Sequence, residues 1–466
     1  MDIFEIKKMK WQILTVLAVL LFILVFSSYF MGFSASDIFR KSRDSRRIFD
    51  LKLLENIIGR YLADGNFDLD GLGRQDTCVG ERQPTIYVSV PYDAGWKLPD
   101  LPAGWSWGQV SKAELQKTNG LGWLPLNLEK YSRSANLPID LLNIADSFEG
   151  TRNFFYAYVC DSKNKKFQLA AKLESNYYGV DYFGSGGKND IAFKDGGKFA
   201  GLFEAGNDFN LLPDDGVFCP AGMVWVGPNR LNSGFCIDAY EASWSEGNRP
   251  QSLGGQNSWS SLPDNIFPYV NQAEAQNFCQ SVGKRLPEDY EWFLAARGTP
   301  DDYLSAPAIG EEDCHHWNSR SDLPERVRKP EEAIWQDTAY DWSIYNKGFI
   351  KTGTAGRCRS AYGAFDMVGN LFEFTAGRQS EKKYKNISLP RRNYILALNK
   401  EGIPIETIGE PVESFNGDYF WLDNGEEHIF LRGGSWFDEE KAGVHSLNLI
   451  LNPQMGDYNV GFRCAR

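Results

Sequence analysis

The pattern of apolar and polar positions divides the chain into stretches of different period. Residues 11–33, WQILTVLAVLLFILVFSSYFMGF, carry no charge over a length that lets a helix cross a hydrocarbon core of roughly 30 Å. Behind them, in RKSRDSRRIFDLKLLENIIGRYLADGNF, Leu51, Leu54, Ile58 and Tyr61 recur at helical spacing, and Ile57 and Leu62 widen the stripe. The pattern predicts an amphipathic helix ending near Asp64–Gly65, where glycine suits a helix stop. Further on, NFFYAYVCD and KKFQLAAKLES partly alternate around a turn of Asp, Lys and Asn, as a hairpin requires. Leu211–Gly216 clusters Pro, Asp and Gly and reads as a linker. Beyond it, Asn271 followed by Glu274 predicts a capped helix with Ala275, Phe278 and Cys279 on its apolar face and a stop at Gly283. Pro287–Glu288 opens a second helix that buries Trp292, Ala295 and Ala296. The remainder is rich in Gly and aromatics, with few long periodic stretches.

The uncharged segment is longer than the apolar core of a cleaved signal peptide, which favours a retained anchor. Ser34–Ala35–Ser36 offers the alternative of a cleavage site. Orientation rests on opposing signals. Lys7, Lys8 and Lys10 precede the span, whereas Arg40, Lys41, Arg43, Arg46 and Arg47 follow it, and this count alone puts the C-terminal side in the cytoplasm. The cysteines argue the other way. Cys78, Cys160, Cys219, Cys236, Cys279, Cys314, Cys358 and Cys464 are dispersed without a C-x-x-C pair, as suits disulfides in an oxidising compartment. Buried free thiols are the alternative. The adopted expectation is a cytoplasmic tail at 1–10, one membrane span at 11–33, and an extracellular remainder.

Composition narrows the function classes. A net charge of -12 and a pI near 5.1 argue against nucleic-acid binding, which needs clustered Lys and Arg. With 14 Trp, 21 Tyr, 31 Phe and 45 Gly, the chain suits loop-rich folds held by aromatics better than a helical bundle.

The half-apolar, half-amphipathic helix resembles the first helix of type IV pilins and pseudopilins. GWLPLNLEKYSRSANLPID, FFYAYVCDSKNKKFQLAAKLES and FKDGGKFAGLFEAGNDFNLLP resemble the sheet and terminal region of small bacterial pilin-like domains. Residues 34–213 are therefore expected to form a pilin-like α+β stalk, in which Cys78 and Cys160, the two cysteines of this stretch, pair. The prepilin cleavage pattern, a small residue before a Phe-type start with a Glu five residues in, does not precede the span, which points to a stalk and away from a polymerising subunit. Asn66, Asp68, Asp70 and Gly71 imitate the start of a calcium loop, but Thr77 stands where the bidentate Glu belongs, so the segment reads as an Asp-rich turn.

From Cys219 onward CPAGMVWVG, GFCIDAYEAS, PYVNQAEAQNFCQSVGKRLPEDYEWFLAARG, GAFDMVGNLFEFTAG, LRGGSW and GFRCAR occur in order. This series resembles the formylglycine-generating enzyme and sulfatase-modifying-factor family. The resemblance implies a modified C-type lectin fold over 214–466, with disulfides Cys279–Cys464, Cys219–Cys236 and Cys314–Cys358. It also implies where the copper-binding cysteines of the oxidase would stand, and there the chain has Asp438 and Gly443. Thiolates are the ligands soft Cu(I) needs. His315, His316, His428 and His445 are the four histidines, and the adjacent pair reads as loop residues. H-E-x-x-H and G-x-S-x-G are absent, and GSGGKN at Gly184 lacks the Ser or Thr of a phosphate loop. The chain is expected not to be an enzyme.

The terminal segment RGGSWFDEEKAGVHSLNLILNPQMGDYNVGFRCAR resembles the variable region of diversity-generating retroelement target proteins, in which a constant framework surrounds rewritten positions. The framework falls at Arg432–Trp436, Ala442–Gly443, Leu447–Leu449 and Gly461–Arg466, within a variable region of about 432–466. Between these stand Phe437, Asp438, His445, Ser446, Ile450, Leu451, Asp457 and Tyr458. Their mixed chemistry suggests a solvent-facing ligand-binding patch like a paratope; a static surface loop is the alternative. Asn370 and Glu373 match positions near a structural calcium in relatives; a buried turn whose Asn satisfies the backbone is the alternative. No cofactor is otherwise required. The whole is expected to be an α+β protein: a membrane-anchored receptor or adhesin for a molecule on another cell or phage. The alternatives are a minor pilin or pilus-tip adhesin and, least favoured, an oxidase with unfamiliar ligands.

Overall fold

The structure is a computed structural model that describes residues 35–71, 76–96, 98–143, 154–175, 202–213, 217–227, 234–245, 249–258, 269–301, 314–316, 349–380, 383–385, 387–423, 425, 427–436 and 438–466. The expected membrane span and its tail lie outside these residues. Among the described residues no helix is long and apolar enough to cross a membrane.

The first helix, α1 (Ala35–Ala63), buries Leu51, Leu54, Ile57, Ile58 and Tyr61. It ends at Gly65, whose φ of 83° reverses the chain while the Asn66 N–H reaches back to the Tyr61 carbonyl. Its N-terminal half is held by charge. Arg47 is 1% exposed and bonds Asp44 at 2.6 Å, Asp140 at 2.5 Å and Glu174 at 2.7 Å. Arg43 also reaches Glu174, and Arg46 reaches Asp50.

The helix lies on a five-stranded sheet of β1 (Thr85–Val88), β2 (Ser106–Gly108), β3 (Tyr156–Asp161), β4 (Lys166–Lys172) and β5 (Leu202–Gly206). The order is β2-β1-β3-β4-β5, with β1 and β2 parallel and the other neighbours antiparallel. β3 and β4 form the expected hairpin, turned at Lys165 with φ 57°. Their alternation is only partial because both faces are covered. Tyr156, Tyr158, Cys160, Leu169 and Ala171 pack with α1. Ala157, Val159 and Ala170 pack against Val217, Phe218, Met223, Trp225 and Cys236.

That second layer alters the linker reading of Leu211–Gly216. Leu211 and Leu212 are buried, and both of their N–H groups donate to Gln168 Oε1. The first hairpin of the C-terminal half, β6 (Met223–Val226) with β7 (Phe235–Asp238), thus shares a core with the N-terminal sheet. The hairpin β8 (Ser243–Ser245) and β9 (Arg249–Gln251) follows, then α2 (Gln272–Ser281) and α3 (Asp289–Ala295). Both helices begin with complete capping boxes, Asn271 with Glu274 and Glu288 with Glu291.

The remaining strands are β10 (Phe372–Ser380), β11 (Lys383–Tyr384), β12 (Ile387–Ser388), β13 (Asn393–Leu398), β14 (Pro404–Ile408), β15 (Tyr419–Leu422), β16 (Glu427–Arg432), β17 (Leu447–Leu449) and β18 (Val460–Phe462). Seven of them form one sheet in the order β14-β13-β15-β17-β16-β10-β18. β17 enters between β15, its parallel neighbour, and the antiparallel β16. Disulfides join Cys78–Cys160, Cys219–Cys236, Cys279–Cys464 and Cys314–Cys358.

Lys172 sits where the two halves meet, fully buried, its ammonium 4.5 Å from the Trp225 ring and 5.3 Å from Phe154. No hydrogen-bond acceptor reaches its Nζ. Burial, reinforced by the Arg47 charge, pushes its pKa from 10.5 down to about 7. The unfolded chain therefore binds one more proton than the native protein between about pH 7 and 10.5, and this lysine makes stability rise with pH across that window. Denaturant titrations at pH 7 and 9 should show the gain, up to about 1.4 kcal/mol per pH unit, in the wild type and its loss in Lys172→Met. Equal pH slopes for the two proteins would contradict the buried, neutral lysine.

Candidate functional site

The terminal segment is fixed at both ends by buried ion pairs. Arg432 closes β16, and its guanidinium grips Asp289 on α3 through Nε at 2.8 Å and Nη2 at 2.5 Å. Its remaining donors reach the carbonyls of Gly402 and His445. Gly433 and Gly434 follow with φ of 91° and 77°. A Cβ at 434 would collide with Ala442, so only glycine fits there. Ser435 then donates its N–H to Asp438 Oδ2 at 2.8 Å, and buried Trp436 donates its own to the Asn370 carbonyl. At the far end Arg463, fully buried beside β18, bonds both oxygens of Glu373 at 2.5 and 2.6 Å and the carbonyls of Asp238, Ala239 and Phe365. Cys464 locks the same strand end to Cys279 on α2.

Between these clamps the structure divides the expected ligand-binding residues. Phe437 lies outside the described residues. Asp438 is half-buried and turns inward to the Ser435 N–H and hydroxyl. His445 is 8% exposed, held between the rings of Phe293 and Phe415, its Nδ1 2.8 Å from Asp418 Oδ2. Ser446 is fully buried; its hydroxyl donates to the Lys441 carbonyl and accepts from the Tyr419 N–H. Tyr458 is buried against Tyr269. Asp457 is half-buried and accepts from the Tyr458 N–H. Ile450 is exposed and Leu451 packs on the core edge.

The solvent-facing reading is therefore corrected for His445, Ser446 and Tyr458. His445 and Ser446 lead into a strand at the centre of the sheet and Tyr458 into one at its edge, and all three enter the interior. The Ser446 hydroxyl and His445 Nδ1 are hydrogen-bonded there, which makes a mixed composition compatible with a core.

What faces outward comes from two segments. Tyr394 pairs with Tyr419 across β13 and β15, and Trp421 pairs with Asn448 across β15 and β17. Residues so paired, and those two apart along a strand, share one face. Tyr419 lies 5.1 Å from Tyr394 and 5.0 Å from Trp421 between ring centroids. Glu440 accepts from the Tyr394 hydroxyl at 3.4 Å, and the Lys441 ammonium stands 5.6 Å over the Tyr419 ring. Tyr394, Tyr419, Lys441 and Asn448 are half-buried, and Ile450 continues their row into solvent. The tyrosines escaped the sequence reading because nothing local links residues 393–422 to residues 440–450. The aromatic run YFWL between Asp/Gly-rich flanks was the available signal.

Asn370 and Glu373, expected near a calcium, are engaged by protein partners. Glu373 takes its positive charge from Arg463 and a further hydrogen bond from Trp292 Nε1 at 2.6 Å. The Asn370 side chain accepts the Ile350 N–H at 2.8 Å and donates to Glu241 at 2.5 Å. The two side chains serve different partners. Around them Glu241 and Asp366 are buried carboxyls whose pKa values burial raises, Asp366 to about 7. His316, also buried, has Nδ1 3.1 Å from the Glu439 carbonyl oxygen.

Of the two positions where the resemblance implied thiolates, Gly443 has no room for a side chain. Asp438 is committed to Ser435, and the space a side chain at Gly443 would need holds the Asp418 carboxylate.

Comparison with known proteins places residues 205–466 in the family described as Sulfatase-modifying factor enzyme 1-like domain. No curated protein matches the chain. Among solved structures, similarity is found to the Major Tropism Determinant I1 variant at 13% identity, covering 64% of this chain and 62% of that one, with a TM-score of 0.29. Treponema denticola variable protein 1 is 17% identical over 52% of this chain and 90% of its own, with a TM-score of 0.25. PvdO from Pseudomonas aeruginosa is 17% identical over 55% and 88%, with a TM-score of 0.24. The match spans under two thirds of the tropism determinant's own length.

The two clamps predict unequal sensitivity along the segment. Arg432→Met leaves Asp289 buried without its partner and should cost about 3–5 kcal/mol, whereas Ile450→Ala should stay within about 0.5 kcal/mol of wild type, both read from urea unfolding.

Proposed function

The chain belongs to the Sulfatase-modifying factor enzyme 1-like domain family over residues 205–466, and we propose that it uses this domain to bind a ligand and not to oxidise one. It is a cell-surface receptor or adhesin. Residues 1–10 form its cytoplasmic tail, 11–33 its membrane span, 34–213 its stalk, and 214–466 its binding domain. The observation that carries the reading is the division of the terminal segment into a clamped framework and an outward face. Tyr394, Tyr419, Glu440, Lys441, Asn448 and Ile450 form that face, with Leu451 at its border.

Aromatic rings flanked by an acid and a lysine are the composition of an adaptable paratope, and a scaffold tied by disulfides and buried ion pairs limits the entropy lost on binding. The ligand is a molecule on another cell or phage, not nucleic acid, and binding needs no cofactor. The non-enzymatic reading is supported by Asp438 standing where one thiolate is expected and by the lack of room for a side chain at Gly443. Four disulfides support the extracellular placement. Diversification of the segment belongs to the same proposal.

A second reading, a minor pilus subunit or tip adhesin, is favoured by one observation: Ile38, Phe39, Phe49 and Leu53 stand exposed on α1. Recovery of the protein in sheared filaments instead of the membrane fraction decides for it.

The full-length chain in lipid nanodiscs should bind its target cell or phage surface. Tyr419→Ala and Ile450→Ala should each weaken binding at least tenfold, about 1.4 kcal/mol, with Lys52→Ala on α1 as the unaffected control. Unchanged affinity in both variants would move the binding face elsewhere. In the coding DNA, a nearby copy of the 3′ end differing at adenines, beside a reverse-transcriptase gene, is the expected signature of diversification. Turnover of a cysteine peptide by the copper-loaded full-length protein would return the domain to the oxidases.

A further inference from the structure

Beneath the outward face, three segments bring metal-ligating side chains together. Asp301 follows α3, Asp418 precedes β15, and His445 lies in the loop before β17. All three are buried, and one ligand atom from each lies within 4.8 Å of the other two. The carboxylates are positioned by the very loop that carries the histidine. Asp301 Oδ2 accepts the Val444 N–H at 2.9 Å, and Asp418 Oδ2 accepts the His445 N–H at 2.7 Å. We propose that Asp301, Asp418 and His445 bind one divalent transition-metal ion of the zinc class, tying this loop to the core.

A separate observation points to a ligand. Asp418 is fully buried, and its Oδ1 has no hydrogen-bond donor. A buried anionic oxygen without a partner is costly, and buried polar atoms in folded proteins otherwise find a donor, a water or an ion. The cradle around it is also specific. The carboxylate lies flush against Gly443, where any side chain would displace it. The cationic group at hand, Arg432, is already bound to Asp289 and donates to the His445 carbonyl, not to Asp418.

The donor set selects the ion. Two carboxylates and an imidazole suit zinc or manganese, whereas calcium takes six to eight oxygens and has no use for the ring nitrogen. Tetrahedral zinc with bonds of 2.0–2.1 Å sets its ligand atoms about 3.3 Å apart. The 2.8 Å between Nδ1 and Oδ2 is a hydrogen-bond separation, so the two atoms part by about 0.5 Å when an ion takes the proton's place. The ion replaces the proton between those two atoms, so binding releases that proton when the ring enters protonated at Nδ1, and a water completes the fourth position. The backbone N–H groups of Val444 and His445 on the carboxylates, with Phe293 and Phe415 against the ring, supply the supporting shell that orients ligands.

The site stands independently of the ligand-binding reading, since it concerns the support of the loop and not the face above it. The test uses the full-length protein in mild detergent, stripped with a chelator and titrated calorimetrically with Zn2+, then with Co2+ as a spectroscopic probe. One ion per chain, a raised unfolding temperature and the intense visible bands of four-coordinate Co2+ are the expected results. His445→Gln, checked for native near-ultraviolet dichroism, should weaken Zn2+ binding by about 100-fold or more, as should Asp301→Asn, while His428→Gln should not. Should those variants fail to fold, the Co2+ spectrum of the wild type decides alone. Absence of stoichiometric Zn2+ binding by the wild type, a six-coordinate Co2+ spectrum, or undiminished binding by folded His445→Gln would overturn the proposal.

Discussion

A guanidinium buried against a carboxylate at each end of the terminal segment is the constraint on which the rest of the C-terminal half depends. Arg432 with Asp289 and Arg463 with Glu373 are both out of contact with solvent. Each arginine also spends further donors on backbone carbonyls, so each buried charge is compensated by its carboxylate and held by the surrounding backbone. Such pairs gain little over apolar packing of the same volume, but breaking one leaves an uncompensated charge. Their effect is to specify position. The chain must enter the segment at α3 and leave it beside β10, whatever lies between.

This arrangement explains how display and rigidity coexist. The framework residues are committed to the core or to glycine-only turns, so changes there disturb packing. The outward positions touch one another and solvent, so substitutions among them leave the clamps intact. Burial of His445 and Ser446 narrows the adaptable set and makes these residues props for the loop beneath it. The N-terminal half adds a second support. Its sheet is covered on one face by α1 and on the other by the first lectin-like hairpin, with Lys172 sealed between them.

Much of the local structure was legible in the sequence because local physics wrote it. The stripe of Leu51, Leu54 and Ile58, the Asn271–Glu274 box and the hairpin around Lys165 each depend on neighbours within a few residues. The candidate site was legible only in part. Ile450 could be read as an outward residue. The inward turn of His445 depends on β17 lying in the middle of a sheet, and the burial of Tyr458 against Tyr269, like the contribution of Tyr394 and Tyr419, depends on segments far along the chain. Spacing along one segment carries neither fact. Likewise the Pro/Asp/Gly stretch at 211–216 has a linker's composition, yet its leucines are buried because Gln168 supplies acceptors for their backbone.

The placement of β17 bears on how the domain assembles. Until residues 447–449 arrive, β15 and β16 have an open slot between them, and β10 lacks β18 along its other edge. Cys279 likewise waits 185 residues for Cys464. A chain emerging from its N-terminal side therefore carries an unmatched thiol until Cys464 follows, and cooperative closure of the sheet is postponed to the stretch that supplies β17 and β18. Sequence separation of this order slows folding and makes completion of that stretch a built-in check that the preceding two hundred residues were delivered intact.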